Sequence, residues 1–105
     1  MRCALHPLGT LRESAKRELA TLFVSEARRL QEMLHRAHGR GDAKAAALAA
    51  QALAGASSYF DTGELPAVCR RMEAAAREGD LQRFGDALQE LDRSMLPVME
   101  QMGAV

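Results

Sequence analysis

The 105-residue sequence has no excess of either charge and no long apolar run. Its 14 basic residues are balanced by 14 acidic ones, so the formal net charge is zero and a nucleic acid is not an expected partner. The longest apolar stretch, residues 45–54, is mostly alanine and is interrupted by Gln51. Because a membrane-spanning helix needs about 20 consecutive apolar residues, no membrane span is expected.

Cysteine is also scarce. Cys3 and Cys69 form neither a CxxC motif nor a dense disulfide framework, so we expect two reduced thiols. Residues 1–11 contain one arginine and no continuous apolar region, which is not the pattern of a secretory signal, and a cytoplasmic location is the default expectation. The length suits one domain over residues 1–105, because small domains usually contain about 100–150 residues.

Four segments show helical periodicity, and none alternates as a strand. The first segment ends at Gly39 and Gly41, and residues 8–17 before it are predicted to be a short separate helix or an extension. Its predicted apolar stripe is Leu19, Leu22, Phe23, Ala27, Leu30, Leu34 and Ala37. Gly79-Asp80 repeats the stop-and-cap signal of Gly41-Asp42 and predicts the start of the last segment, residues 81–102, in which Pro97 is expected to kink the helix. The predicted apolar stripe of this segment is Leu81, Phe84, Leu88, Leu91, Met95, Val98 and Met102. The pattern predicts an all-α fold, an antiparallel four-helix bundle with an additional short N-terminal helix or extension.

The second helix is predicted to run from about residue 43 to residue 60, because Asp42 can cap its free N–H groups. The residues predicted to face inward are Ala45, Ala49, Ala52, Leu53, Ala56 and Phe60. Those predicted to face outward are Lys44, Ala47, Gln51, Ala54, Gly55 and Ser58. A third helix carries Pro66 in its first turn, where a missing N–H costs nothing. Its predicted buried face is Leu65, Val68, Cys69, Met72, Ala75 and Ala76.

A longer pattern begins in the second helix. It consists of Ala50-Gln51-Ala52-Leu53-Ala54-Gly55-Ala56-Ser57, followed by Leu65, Cys69, Met72-Glu73 and Gly79-Asp80. Over roughly residues 19–102 the chain resembles histidine-phosphotransfer domains, the helical intermediates of multistep phosphorelays. Members typically show Ala-His-x-Leu-Lys-Gly-Ser-Ser or Ala, and later a leucine, a cysteine or small residue, Leu-Glu and Gly-Asp. The resemblance implies a response-regulator receiver domain or a histidine kinase as the partner.

Three positions depart from the family pattern. Gln51 occupies the place of the phosphorylated histidine, Ala54 that of a lysine that helps to hold the phosphoryl group, and Asp61 that of a glycine in the following turn. A carboxamide nitrogen is not a usable nucleophile at neutral pH, whereas imidazole forms a phosphoramidate. Without the lysine, less positive charge stabilises the phosphoryl oxygens. We therefore expect no catalytic residue, no cofactor and no enzymatic activity.

Gly55 is retained although a glycine inside a helix costs about 0.5–1 kcal/mol relative to alanine. In the family, this glycine leaves room for the active-site loops of a receiver domain. The resemblance thus predicts a partner-binding surface of small side chains, formed by Ala47, Gln51, Ala54, Gly55 and Ser58. The alternative is that Gly55 is an ancestral remnant without a present role, or that it relieves crowding against Tyr59 or Phe60. Because the chain is neutral overall, binding is expected to respond weakly to salt.

Three functions stay open at this point. The first is a non-phosphorylatable binding module that docks a receiver or histidine-kinase domain as an adaptor or inhibitor. The second is an active phosphorelay intermediate that uses an unconventional histidine, His35 or His38. The third is a structural bundle that forms a homodimer through its outward stripe. His35 and His38 lie at i and i+3, but no further ligand has a spacing that completes a metal site, so no metal is predicted.

Overall fold

A computed structural model describes residues 12–103, and all regular secondary structure in this range is helical. The helices, in chain order, are α1 (Glu13–Arg40), α2 (Ala43–Ser57), α3 (Leu65–Arg77) and α4 (Leu81–Gln101). Each helix contacts the next one along the chain, and α1 also contacts α4, which closes the bundle. Short connections make neighbouring helices antiparallel. The predicted all-α helical bundle is confirmed.

Two of the helices begin as the sequence predicts. The carboxylates of Asp42 and Asp80 each accept a hydrogen bond from the backbone N–H three residues further along, at 3.1 and 3.0 Å, and so cap α2 and α4. The preceding residues, Gly41 and Gly79, have φ angles of 67° and 72°. Glycine adopts this left-handed conformation without strain, and it therefore allows the chain to end one helix and start the next within two residues.

The first helix is longer than its apolar stripe. It starts at Glu13 and continues without a break, so residues 13–17 extend α1 rather than forming a separate helix, and Gly39 lies inside α1. The remainder of the predicted N-terminal segment, residues 8–11, lies outside the described residues, as does Cys3. With 28 residues against 15 in α2, α1 extends past the end of its neighbour.

The buried residues of all four helices form one cluster. The predicted buried face of α3 is confirmed at all six positions, and the α4 stripe is confirmed at Phe84, Leu88, Leu91, Met95 and Val98. One prediction for α1 is wrong, because Leu22 is 65% exposed. Leu22 lies in the part of α1 that extends past the end of α2, where less of the bundle is available to cover it.

The orientation of α2 differs from the prediction by about a quarter of a turn. Ala47 and Ala54, predicted to face outward, are only 5% and 6% exposed, whereas Ala52, predicted to face inward, is exposed. Nine of the 15 residues of α2 are alanine, so apolar periodicity does not define one face. Contacts with α1 on one side and α3 on the other decide which alanines are buried.

The segment between α2 and α3 is held by two buried hydroxyl groups. The second helix ends at Ser57, earlier than the predicted boundary near residue 60. Thr62 Oγ1 donates a hydrogen bond to the Ser57 carbonyl at 2.9 Å, and Ser57 Oγ donates one to the Ala54 carbonyl at 3.1 Å. These bonds satisfy carbonyl groups that the end of the helix leaves free.

The two prolines of the described helices lie in different surroundings. Pro66 is in the first turn of α3, as predicted, and Pro97 lies inside α4, which continues to Gln101.

Among the helices of residues 12–103, none combines the length and the apolar character that crossing a membrane requires.

Candidate functional site

Gln51 lies in the middle of α2 with an exposed side chain. Its carboxamide has no hydrogen-bond partner within residues 12–103. Several neighbours on the same side of α2 are also exposed, and we refer to this set as the outer face of α2. It consists of Lys44, Leu48, Gln51, Ala52, Gly55 and Ser58. Position 51 is therefore accessible to a partner.

The structure brings together three of the five residues predicted to bind a partner. Gln51, Gly55 and Ser58 share the outer face of α2, whereas Ala47 and Ala54 are buried. The prediction that these two alanines face outward is wrong. The hydroxyl of Ser58 lies 3.5 Å from a guanidinium nitrogen of Arg70, so α3 covers the flank of α2 next to Ser58.

Leu48 and Ala52 are exposed on this surface, where the sequence had predicted Ala47 and Ala54. Sequence reasoning missed them because an apolar residue in an alanine-rich helix is typical of a core position. Leu48 is 56% exposed, although leucine is usually among the most buried residue types. One signal in the sequence could have indicated that Leu48 is exposed. Leu48 follows Lys44 by four residues, and residues at i and i+4 share a helix face.

Gly55 has no steric reason within the described structure to be glycine. A Cβ atom built at this position meets nothing within 4 Å, which contradicts the alternative that Gly55 relieves crowding against Tyr59 or Phe60. Its φ angle is not among the positive ones, so the backbone does not require glycine either. Gly85 on α4 differs, because a Cβ there would lie 2.7 Å from Nε2 of His38.

An apolar groove adjoins the outer face of α2 at the end where α1 extends past it. The groove has a volume of about 420 Å³. It is lined by Leu19, Leu22, Phe23, Ala56, Tyr59 and Phe60. The rings of Phe23 and Phe60 have centroids 5.1 Å apart, and Tyr59 is 57% exposed. The exposed surface beyond Gly55 is therefore apolar.

The two histidines of α1 are directed toward α4. His35 Nε2 lies 2.9 Å from Oδ2 of Asp92, and Oδ1 of the same carboxylate accepts a hydrogen bond of 2.7 Å from Nε2 of Gln31. The ring of His38 stacks on Phe84 with centroids 5.8 Å apart. Within residues 12–103, no three His, Cys, Asp or Glu side chains are placed to hold a metal ion.

Cys69 is a free thiol in the core. Burial raises the pKa of Cys69 to about 12, and the positive charge of Arg70 opposes this rise only in part. A thiol with this pKa stays neutral near pH 7, and the thiolate is the nucleophilic form. Cys69 is therefore not available as a substitute nucleophile for the missing histidine.

Comparison with protein-family models matches residues 18–101 to the Hpt domain. No match is found among curated proteins or among solved structures. The matched range covers most of the chain and includes α2, α3, α4 and nearly all of α1. It also agrees with the range of the resemblance found in the sequence, and the chain therefore belongs to the Hpt domain family.

Proposed function

We propose that this chain is a non-phosphorylatable binding module that docks a receiver or histidine-kinase domain as an adaptor or inhibitor. Hpt domains are phosphotransfer modules of two-component signalling, where they interact with receiver and kinase domains. The loss of transfer is supported by Gln51, because a carboxamide is a poor nucleophile at neutral pH. Within residues 12–103, no imidazole or thiol lies on the outer face of α2.

Gly55 is the observation that supports a retained binding role. Glycine at this helical site costs about 0.5–1 kcal/mol relative to alanine, and no neighbour in the described structure requires it. A partner that approaches the helix backbone closely would explain the absence of a side chain. The adjoining Ala52 is also small and exposed, so such a partner could lie flat against this part of α2.

The chemistry is tested by incubating the full chain with acetyl phosphate and with phosphorylated receiver domains. We expect no acid-labile, base-stable phosphate on the wild-type chain. The double variant Gln51→His, Ala54→Lys is the reference for regained transfer, since a lysine stem can extend along the helix and place its ammonium group in solvent. Stoichiometric labelling of wild-type His35 or His38 would show that the active-phosphorelay alternative is correct.

Binding is tested by calorimetry with purified receiver and histidine-kinase domains of two-component proteins from the same organism. We expect Gly55→Gln to lower the affinity for the receiver or kinase domain by about tenfold or more, roughly 1.4 kcal/mol. Ala74→Gln is the control, because Ala74 is also helical and exposed but lies on α3, outside the outer face of α2. Equal affinity of both variants and the wild type would exclude the outer face of α2 as the docking surface.

A homodimer that uses the outer face of α2 is the structural alternative. Measuring the mass in solution at several concentrations distinguishes the two functions. A concentration-dependent dimer that Gly55→Gln disrupts, with no binding of any receiver or kinase domain, would favour the structural bundle. The cytoplasmic location and the extent of the domain over residues 1–105 stay predictions from the sequence.

A further inference from the structure

One row of exposed side chains on α1 borders the outer face of α2. Leu22 marks this side of α1, because it lines the apolar groove together with Ala56 and Tyr59 of the α2 end. Positions 7, 14 and 18 residues further along lie on the same face of a helix with 3.6 residues per turn. They are occupied by Arg29, Arg36 and Arg40. This row is therefore apolar at one end of the bundle and basic at the other.

The basic end of the row meets Lys44 and Leu48 of α2. Arg40 is the last residue of α1, and Lys44 is the second residue of α2, after a turn of two residues. Lys44 and Leu48 are four residues apart on the outer face of α2, so they lie on one side of the helix. We define the basic end as Arg36, Arg40 and Lys44, all of which are exposed. Leu48 adds an exposed apolar side chain next to these cations.

The three cations of the basic end have no carboxylate partner within residues 12–103. Some other exposed arginines of the bundle do have one, such as Arg29, whose Nη2 lies 2.6 Å from Oε2 of Glu26, whereas Arg17 and Arg93 do not. Asp42, in the turn itself, uses its carboxylate to cap α2. Lys44 lies in the first turn of α2, where the helix dipole disfavours a positive charge. Helix stability therefore does not account for a lysine at this position.

We propose that the basic end binds an acidic patch on a protein partner, and that Leu48 contacts an apolar side chain at the centre of that acidic patch. This inference rests on the proposed function and adds the charge and the direction of the docked partner. The partner's carboxylates lie over the hairpin of α1 and α2, and its apolar surface lies toward the groove at Leu22 and Tyr59. Binding is then salt-dependent, in contrast to the expectation from the neutral net charge.

The composition of the surface favours a protein over a nucleic acid. Tight binding of a nucleic acid draws on many phosphate contacts, whereas this patch offers three cations arranged beside an exposed leucine. The chain as a whole carries no net positive charge that would attract a polyanion from a distance. Carboxylates interspersed with apolar side chains match both components of the patch.

The test is an NMR titration of the full ¹⁵N-labelled chain with a capped peptide of about 12 residues in which Glu and Asp alternate with Leu. We expect amide shift changes concentrated in residues 36–48, and we expect them to decrease as NaCl is raised to about 0.3 M. A triple variant should lower the affinity for the peptide by about fivefold or more. This variant replaces all three cations, by Arg36→Gln, Arg40→Gln and Lys44→Gln.

A variant with Arg12→Gln, Arg17→Gln and Arg93→Gln is the matched control, because it also removes three charges, and these arginines are exposed and have no carboxylate partner in the described range. It should bind the peptide as the wild type does. Shift changes spread over the whole surface, equal loss in the control variant, or equal binding of a Gln/Leu peptide would overturn the inference. Tighter binding of a short DNA duplex to residues 36–48 would overturn it in favour of a nucleic acid.

The peptide has no receiver or kinase fold, so its result does not depend on the proposed function. A receiver domain that binds in a Gly55-dependent manner, but with the same affinity for the variant lacking the three cations, would contradict the salt-dependent docking alone. Peptide binding at residues 36–48 without binding of any receiver or kinase domain would instead contradict the proposed function and leave the acidic partner supported.

Discussion

The two long sides of α1 differ in whether their side chains have partners within the chain. On the side toward α4, His35 and Gln31 both bind Asp92, and His38 stacks on Phe84. On the side that borders the outer face of α2, Arg29 pairs with Glu26, but Leu22 is exposed and neither Arg36 nor Arg40 has a carboxylate partner within residues 12–103. The comparison indicates which residues serve the fold and which are available to a partner.

Two helical glycines show the same difference. Gly85, on the α4 side, accommodates a neighbour, since a Cβ there would lie 2.7 Å from Nε2 of His38. Gly55, on the outer face of α2, accommodates nothing within 4 Å. Packing within the described residues explains one glycine and does not explain the other. Four predictions test this comparison, from the largest expected effect to the smallest.

The largest expected effect is the difference in thiol reactivity between a core position, Cys69, and position 52 on the outer face of α2. In a Cys3→Ser background, we expect native Cys69 to be alkylated by iodoacetamide at pH 8 roughly a thousandfold more slowly than an exposed thiol, because burial raises the pKa of Cys69 to about 12. A Cys3→Ser, Cys69→Ala, Ala52→Cys variant supplies that exposed thiol, since residue 52 is exposed. Similar rates for the two thiols would contradict the assignment of the core and of the outer face.

The same thiol predicts how stability depends on pH. The folded chain holds the Cys69 proton in a range where the unfolded chain, with an ordinary thiol pKa of about 8.5, releases it. This contribution is fully present below pH 8.5, approximately, and is lost as the pH rises toward about 12. Urea denaturation across this range should show a smaller decrease in the free energy of unfolding for Cys69→Ala than for the wild type.

The next effect tests the rotation of α2. Ala54→Trp should lower the free energy of unfolding by about 1–3 kcal/mol, because a large side chain is forced into a packed site, and Ala54 is 6% exposed. Ala52→Trp, at an exposed position in the same helix, should change it by about 0.5 kcal/mol or less. Urea denaturation of both variants measures the difference. A reversed order would restore the orientation predicted from the sequence.

The smallest effect compares the two glycines directly. Gly55→Ala should raise the free energy of unfolding by about 0.5–1 kcal/mol, since it removes glycine's helix penalty and introduces no contact. Gly85→Ala should gain less, because the new methyl group displaces His38 from Phe84. Thermal unfolding monitored by circular dichroism measures both variants. An equal gain would show that His38 does not explain Gly85.

Local signals in the sequence located most of the fold. Asp42 and Asp80 are N-caps as predicted, and the turns at Gly41 and Gly79 have the left-handed backbone expected of such sites. The buried face of α3 was predicted at every position, because leucine, valine and methionine alternate there with charged residues. The family match over residues 18–101 agrees with the resemblance carried by the motif around Gln51.

The candidate site was harder to predict because it lies on the helix with the least informative composition. Alanine is tolerated on both buried and exposed faces of a helix, so the sequence of α2 does not define its orientation. Gln51 and Gly55 are exposed, as the sequence predicted. Ala47 and Ala54 were also predicted to be exposed, but they are buried. The exposed Leu48 was missed because its environment depends on neighbouring helices rather than on its own segment.

The sequence by itself determined the helices, their caps and the membership in the Hpt family, because each follows from local chemistry or from spacing along the chain. Only the tertiary structure decided which side of α2 is open. It also directed His35 toward Asp92 and combined Arg36, Arg40, Lys44 and Leu48 into one surface. These features depend on packing between helices, which periodicity within a single helix does not specify.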